Sequence, residues 1–260
     1  MYNELALILG TDISVPSLGL AMHQPTLAEI AMIGEDRFFS ACRFLNLSKE
    51  EDLSEEDKTL LEEQSNFDII MSIINDKSDI VARQNKVNVM LLLTLIFPTY
   101  QIEIKKDYLL LKLQEEDDIL EENFRSINKN NYEIFLKNFN MIFCASDFWA
   151  STTTDYRAAN DAAQKLIDKF KDREKKLAQL KGEESGDKVA VLSRYISILA
   201  VGEQRDLNSF KKYTVFQLMD EYKRYELKVS NDIYLKAQLA GATGMDEVDN
   251  WMKDIHPESK

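Results

Sequence analysis

The triplet Glu103-Ile-Lys105 is the pattern in this sequence that comes nearest to a catalytic motif. Restriction-type nucleases place such a triplet on a strand, where the acidic residue binds a divalent metal and the lysine stabilises developing charge. No Pro-Asp pair precedes the triplet here, and its neighbours predict a hairpin rather than the larger sheet of that fold. The alternating faces of a surface hairpin explain the triplet equally well. We therefore do not assign it to catalysis.

Other groups that could do chemistry are few and widely spaced. The two cysteines (Cys42, Cys144) and two histidines (His23, His256) show no zinc-ligand spacing. The two glycine-rich phosphate-binding motifs, G-x-x-x-x-G-K-[ST] and G-x-G-x-x-G, are both absent from the sequence. The acidic run from Glu115 to Asp118 lacks the alternating oxygen ligands and glycine of a calcium loop. We expect no metal, no cofactor and no catalytic residue, and hence no enzyme.

The charge balance limits the classes of partner. The 260 residues include 32 Lys and Arg against 45 Asp and Glu, a net charge of −13. This charge repels phosphate and anionic lipid, so we expect neither a nucleic acid nor a membrane as partner. The most apolar run, from Val87 to Phe97, is much shorter than the roughly 20 residues that span a bilayer. Cys42 and Cys144 lie in apolar patterns that predict buried free thiols, which suit a reducing cytoplasm.

The elements that must position any functional group are mainly helical. Thr26-Leu-Ala-Glu29 has the spacing of a capping box and predicts a helix to about Leu47. Apolar residues at three- and four-residue spacing predict the other helices. These lie at about 67–75, 87–97, 119–127, 131–143, 159–180, 189–201 and 215–240, with a short helical turn at 248–255. For the acidic segment Glu50 to Glu63, the sequence pattern is compatible with both a loop and a frayed helix.

One segment changes from helical to alternating periodicity. Ile102 and Ile104, then Leu109, Leu111 and Leu113, alternate with polar neighbours and predict a small β-hairpin. The fold class is therefore mainly α, bundle-like, with one small β-hairpin near 100–113. A Ser/Thr-rich stretch near residue 150 predicts a boundary between an N-terminal helical domain with the hairpin (1–150) and a C-terminal region of long amphipathic helices (151–260).

Aromatic residues concentrate near the C-terminus. The set comprises Phe210, Tyr213, Phe216, Tyr222, Tyr225, Tyr234 and Trp251, with Met252 following. Core packing explains such a cluster, and so does a partner surface, because Tyr, Trp and Met are enriched at interfaces. Both interpretations stay open on the residue pattern alone.

The same region resembles the tail assembly chaperones of long-tailed phages and prophages of Gram-positive bacteria. The resemblance rests on Ser197-Ile-Leu-Ala-Val-Gly202, Tyr213-Thr-Val-Phe-Gln-Leu218, Asp220-Glu-Tyr-Lys-Arg-Tyr225, Asp232-Ile-Tyr, Lys236-Ala-Gln-Leu-Ala-Gly241 and Asp249-Asn-Trp-Met-Lys-Asp-Ile-His256. Pro25-Thr-Leu-Ala-Glu-Ile30 and Ile33-Gly-Glu35 look similar too, so the resemblance spans nearly the whole chain. These matches concern helical packing and a terminal tryptophan motif.

The resemblance implies a non-enzymatic role in the host bacterial cytoplasm. Such chaperones bind the tape measure protein, keep it soluble and help to recruit tail tube subunits. Those two proteins are the implied partners, and self-association is compatible with the family. We predict five contact residues: Tyr213, Gln217, Tyr225, Trp251 and Met252. A structural tail or baseplate component of the virion is the main alternative, and an enzyme or an inhibitor of a host protein are further alternatives.

Overall fold

The computed structural model of the chain describes residues 4–47, 64–76, 80–113, 124–145, 191–242, 248–253 and 255. Its elements are α1 (Glu4–Leu9), β1 (Ile13–Val15), β2 (Leu20–Met22), α2 (Leu27–Ile33), α3 (Glu35–Leu45), α4 (Asn66–Asn75), α5 (Ile80–Ile96), β3 (Tyr100–Ile104), β4 (Tyr108–Leu113), β5 (Phe124–Asn128), α6 (Tyr132–Ile142), α7 (Val191–Gly202), a 3-10 helix (Leu207–Lys212) and α8 (Val215–Leu239). The acidic segment Glu50–Glu63, the run Glu115–Asp118, the predicted boundary near residue 150 and the predicted helix at 159–180 lie outside the described residues. The division into two domains stays a prediction.

Two antiparallel sheets correct the predicted fold class. β1 pairs with β2, and β3, β4 and β5 form a second sheet in that order. The chain is thus a mixed α and β protein, not a helical bundle with one hairpin. The predicted hairpin is present as β3 and β4, with Ile102 opposite Leu111. The strands β1 and β2 have three residues each, too few to show a recognisable alternation.

The strand β5 occupies a segment for which we predicted a helix (119–127). Its residues pair with β4, and Leu109 lies opposite Ile127. Ile127 is fully buried, whereas the other four residues of β5 are only partly covered. A two-stranded hairpin is marginally stable alone, so β4 gains from pairing along its second edge. Such long-range pairing overrides the weak local helical pattern.

The helix predicted from Thr26 to Leu47 is two helices. The capping box is confirmed: Thr26 accepts a hydrogen bond from the Glu29 amide, and Glu29 accepts one from the Thr26 amide at 2.7 Å. Gly34 then separates α2 from α3 with φ of 92°, a conformation that favours glycine. The chain turns at this position instead of continuing as one helix.

Helix α6 and its C-cap residue carry a row of aromatic side chains that are buried in the core. Tyr132, Phe135, Phe139 and Phe143 follow at helical spacing and are all buried, with neighbouring ring centroids 4.8 to 5.9 Å apart. The Tyr132 hydroxyl donates to the Leu45 carbonyl at 2.5 Å. The same hydrophobic cluster includes buried residues of α7 and α8. Both cysteines are buried free thiols, as predicted, and burial raises the pKa of Cys42.

The N-terminus of α8 is held against the N-terminus of α2. Thr214 caps α8 in another capping box, with Gln217, and forms a β-bridge with Thr26. The amide of Leu27 donates to the Tyr213 carbonyl at 2.7 Å. The buried residues of α8 end at Met219, although the helix continues to Leu239. The buried part of the predicted apolar face therefore lies in the first two turns, Tyr222 and Tyr225 pack against the core while partly buried, and later residues such as Ile233 and Leu239 are exposed.

The end of the chain differs from the prediction of a short helix at 248–255. The described residues there form a turn, in which the Lys253 amide donates to the Asn250 carbonyl at 3.0 Å. In addition, the Asn250 side chain accepts from the Met252 amide at 2.9 Å. This local hydrogen bond offers the backbone an alternative to the helix.

Candidate partner-binding pocket

An open pocket of about 500 Å³ lies along α8, beside α1 and the C-terminal end of α7. Its lining consists of Ile8, Glu203, Tyr213, Gln217, Asp220, Glu221, Arg224, Tyr225, Lys228 and Trp251. The α8 members recur at spacings of three and four residues, so they share one face of that helix. The volume falls within the range of about 300–1,000 Å³ that is usual for binding pockets.

Arg205 is not part of the lining, but it contacts three residues that are. Its guanidinium donates to Glu203 at 3.3 Å, to Glu221, and to the Tyr213 hydroxyl at 2.7 Å. The guanidinium also lies over the rings of Phe210 and Tyr213, with centroids 4.7 and 5.3 Å away. Hydrogen bonding to Tyr213 and attraction by Glu221 raise the pKa of Arg205. Two carboxylates therefore share a single cation at this end of the pocket.

Glu221 is a partly buried carboxyl group of the pocket with a shifted pKa. Burial raises its pKa above the usual range, and the attraction of Arg205 does not fully offset that effect. One of its oxygens, Oε2, is shielded from solvent and has no hydrogen-bond partner among the described residues. The fold therefore holds a negative charge here at some cost in desolvation.

The other end of the pocket is basic. Arg224 donates to Asp220 at 3.3 Å, one turn earlier on α8, which neutralises that pair. Lys228 follows on the next turn, and its side chain is exposed. The face of α8 that lines the pocket, from Gln217 to Lys228, is called the pocket floor below. Its charge therefore changes from acidic at Glu221 to basic at Lys228.

Four of the five predicted contact residues line this pocket. Tyr213, Gln217, Tyr225 and Trp251 come from three different segments and meet around it. Met252 is outside the lining but adjacent in the chain to Trp251, with 68% of its surface exposed against 41% for Trp251. Tyr213 and Tyr225 are half-buried and also pack against the core.

Gln217 has a structural role that the sequence analysis missed, although Thr214 and Gln217 have the spacing of a capping box. Its Oε1 accepts from the Thr214 amide at 2.9 Å, and its Nε2 donates to the Ile8 carbonyl at 2.7 Å. It thus caps α8 and ties α1 to the same site. Tyr225 depends on a neighbour in a similar way, because a Cβ atom at Gly202 would overlap the Tyr225 hydroxyl and ring.

Sequence reasoning missed the α1 residue and the charged residues of the pocket. Ile8 comes from a segment more than 200 residues from α8, and no local pattern links the two. In the sequence, Glu221 and Arg224 have the pattern of ordinary solvent-exposed charges on a helix. The i, i+4 relation of Glu221 to Tyr225 was the one available signal, but it does not distinguish a pocket from a solvated face.

Other candidate groups lie outside the pocket. Glu103 and Lys105 pair with each other at 2.5 Å on the exposed side of the hairpin sheet. Across the described ranges, no cluster of three or more His, Cys, Asp or Glu side chains could hold a metal ion. No helix in the part of the chain that the structure describes combines the length and apolarity needed to cross a membrane.

Comparison with known proteins found a similarity in the C-terminal part of the chain. Residues 182–256 match a family model described as the YomV second domain. YomV is a phage-encoded protein. This part of the chain is similar to a phage protein. The match contains all five predicted contact residues but does not extend to the tail assembly chaperone role, and no curated protein or solved structure matches the chain significantly.

Proposed function

We propose that this chain is a phage tail assembly chaperone that binds the tape measure protein in the host bacterial cytoplasm, keeps it soluble and helps to recruit tail tube subunits. The observation that carries the proposal is the pocket on α8. It brings together four of the five residues that we predicted as partner contacts, within the segment that matches a phage protein family.

The composition of the pocket favours protein binding over catalysis. Its aromatic residues, Tyr213, Tyr225 and Trp251, are of the types that dominate protein interfaces. Most of its charged residues are engaged in ion pairs, as Glu221 is with the neighbouring Arg205 and Arg224 is with Asp220. The net charge of −13 would keep a complex with an apolar client dispersed.

The decisive experiment is affinity capture of the chain from infected or induced cells, with mass spectrometry of the captured proteins and of purified virions. Capture of tape measure and tail tube proteins, together with absence of the chain from virions, is the expected result. Stoichiometric presence in virions would replace the proposal by a structural tail or baseplate role. A host protein as dominant partner would indicate an inhibitor instead.

Single variants locate the client-binding surface. Trp251→Ala and Tyr225→Ala should each weaken capture of the client about tenfold or more, as is typical of central aromatic contacts. Met32→Ala and Tyr108→Ala are matched controls, because both residues are exposed (86% and 38%) on elements that do not line the pocket. Equal losses for the pocket and control variants would show that the client binds elsewhere.

A further inference from the structure

The pocket floor is long enough to accommodate a helix. Gln217, Glu221, Arg224 and Lys228 succeed one another along one face of α8. The eleven residue steps from Gln217 to Lys228 correspond to about 16 Å at about 1.5 Å per residue. A second helix lying beside this face would contact it over about three turns.

The charges along this face are ordered. At one end, Glu203 and Glu221 share the single cation of Arg205, which leaves a net charge of −1 from these three groups. In the middle, Arg224 is neutralised by its aspartate partner at 3.3 Å. At the other end, the exposed Lys228 leaves a net charge of +1. The two unbalanced ends are separated by about two helical turns.

Apolar and aromatic surface lies between and beside the two charged ends. Tyr225 is on α8 between Glu221 and Lys228, where the absence of a side chain at Gly202 makes room for its ring. Ile8 and Trp251 flank the pocket, and each exposes 41% of its surface. A partner must therefore offer apolar side chains between its charges.

We propose that the pocket binds an amphipathic helix that carries two opposite charges two turns apart with apolar residues between them. Such a helix has an acidic and a basic residue seven positions apart, and apolar residues three and four positions from the first charge. Its basic residue meets the Glu203 and Glu221 end, its acidic residue meets Lys228, and its apolar residues contact Tyr225 and Trp251. Helices commonly bind grooves through anchors at this spacing.

This inference rests on the proposed function only in taking the pocket as the partner site. It concerns which helix the pocket selects, whatever protein supplies that helix. The overall charge of −13 would by itself favour the most basic partner. The ordered charges instead favour a partner of mixed charge, so the two effects predict different rankings.

Three synthetic helical peptides with the same apolar residues test this inference. Their two charged positions carry Glu and Lys, two Lys, or two Glu. Binding is followed by the fluorescence of Trp251 in a Trp149→Phe background, because the chain has two tryptophans. The mixed peptide should bind at least about threefold tighter than either like-charged peptide, the scale expected for one exposed ion pair. Tightest binding by the two-Lys peptide would overturn the inference.

Charge reversal on the protein provides the second test. Lys228→Glu should make the two-Lys peptide the tightest binder, because both ends of the face then carry negative charge. Lys236→Glu is the matched control on the same helix outside the pocket, and it should leave the ranking unchanged. If Lys228→Glu leaves the order of affinity of the three peptides unchanged, the pairing of Lys228 with an acidic residue of the bound helix is refuted. The proposal is also refuted if sedimentation shows a dimer that Lys228→Glu dissociates and that none of the peptides displaces.

The outcomes also separate this inference from the proposed function. Selective binding of the mixed peptide without capture of tape measure protein would remove the chaperone proposal and keep the helix specificity. Capture of tape measure protein with no peptide preference would keep the chaperone proposal and remove the helix specificity.

Discussion

Replacing Gln217 by alanine should destabilise the fold as well as alter the pocket. The substitution removes two hydrogen bonds, from the Thr214 amide at 2.9 Å and to the Ile8 carbonyl at 2.7 Å. The first bond caps α8 and is partly buried, so its loss should cost about 1 kcal/mol. The second is exposed and should contribute about 0.5 kcal/mol. The better helix propensity of alanine offsets a few tenths of a kcal/mol at most.

The expected net loss for Gln217→Ala is about 1–2 kcal/mol in the free energy of unfolding. For a chain of this size each kcal/mol lowers Tm by about 2–4 °C, so the expected decrease is about 2–8 °C. Thermal unfolding followed by circular dichroism and urea unfolding at neutral pH measure both quantities. Two-state behaviour is checked by comparing far-UV circular dichroism with Trp251 fluorescence in the Trp149→Phe background.

Gln217→Glu separates the two hydrogen bonds. The carboxylate still accepts from the Thr214 amide, as in the capping box of α2, but it can no longer donate to the Ile8 carbonyl. We expect a stability between those of the wild type and Gln217→Ala. Met252→Ala is the control for a contact residue without such bonds, and its Tm should stay within about 1 °C of the wild type. An unchanged Tm for Gln217→Ala would refute the structural role of this side chain.

Three further predictions concern other parts of the molecule. Gly202→Ala should displace the Tyr225 ring and weaken peptide binding, and a Tyr225→Leu background should remove most of this effect, which a double-mutant binding cycle measures. Although partial burial raises the pKa of Glu29, hydrogen bonds from its capping threonine and a nearby histidine outweigh burial and lower that pKa below its ordinary 4.5. The capping contribution is therefore present above pH 4.5 and lost as the pH falls through the lowered pKa, so urea unfolding of Glu29→Gln should show a smaller loss of stability in acid than the wild type. Tyr132→Phe removes a buried hydrogen bond to a backbone carbonyl and should lower the free energy of unfolding by about 1–2 kcal/mol in urea titrations, whereas the exposed Tyr108→Phe should change it by less than about 0.5 kcal/mol.

The helix starts were predictable because their causes are local. Thr26 and Glu29 satisfy each other's amides within four residues, so the spacing alone indicates the cap. The hairpin was predictable for the same reason, because side-chain alternation in Ile102, Ile104 and Leu109 reflects one buried face. The break at Gly34 was missed, since an isolated glycine inside an apolar period does not by itself end a helix.

The strand β5 and the extent of the α8 core contact were decided by packing. Ile127 enters a sheet because β4 offers a second edge, and that edge exists only after the chain has folded back. The apolar period of α8 continues beyond Met219, yet the rest of the protein covers Tyr222 and Tyr225 only partly and leaves Ile233 and Leu239 exposed. A hydrophobic period identifies a face that can be buried, but it does not identify what buries it.

The sequence by itself determined the local elements and the types of residue at the candidate site. Hydrogen bonds and side-chain periods that span a few residues carry this information, as in the capping boxes and the aromatic spacing around Tyr225. Only the tertiary structure placed Ile8 beside Gln217 and put Glu203 and Glu221 on the same Arg205. Those relations join segments far apart in the chain, and they exist only where the packing of α1, α7 and α8 brings their side chains within contact distance.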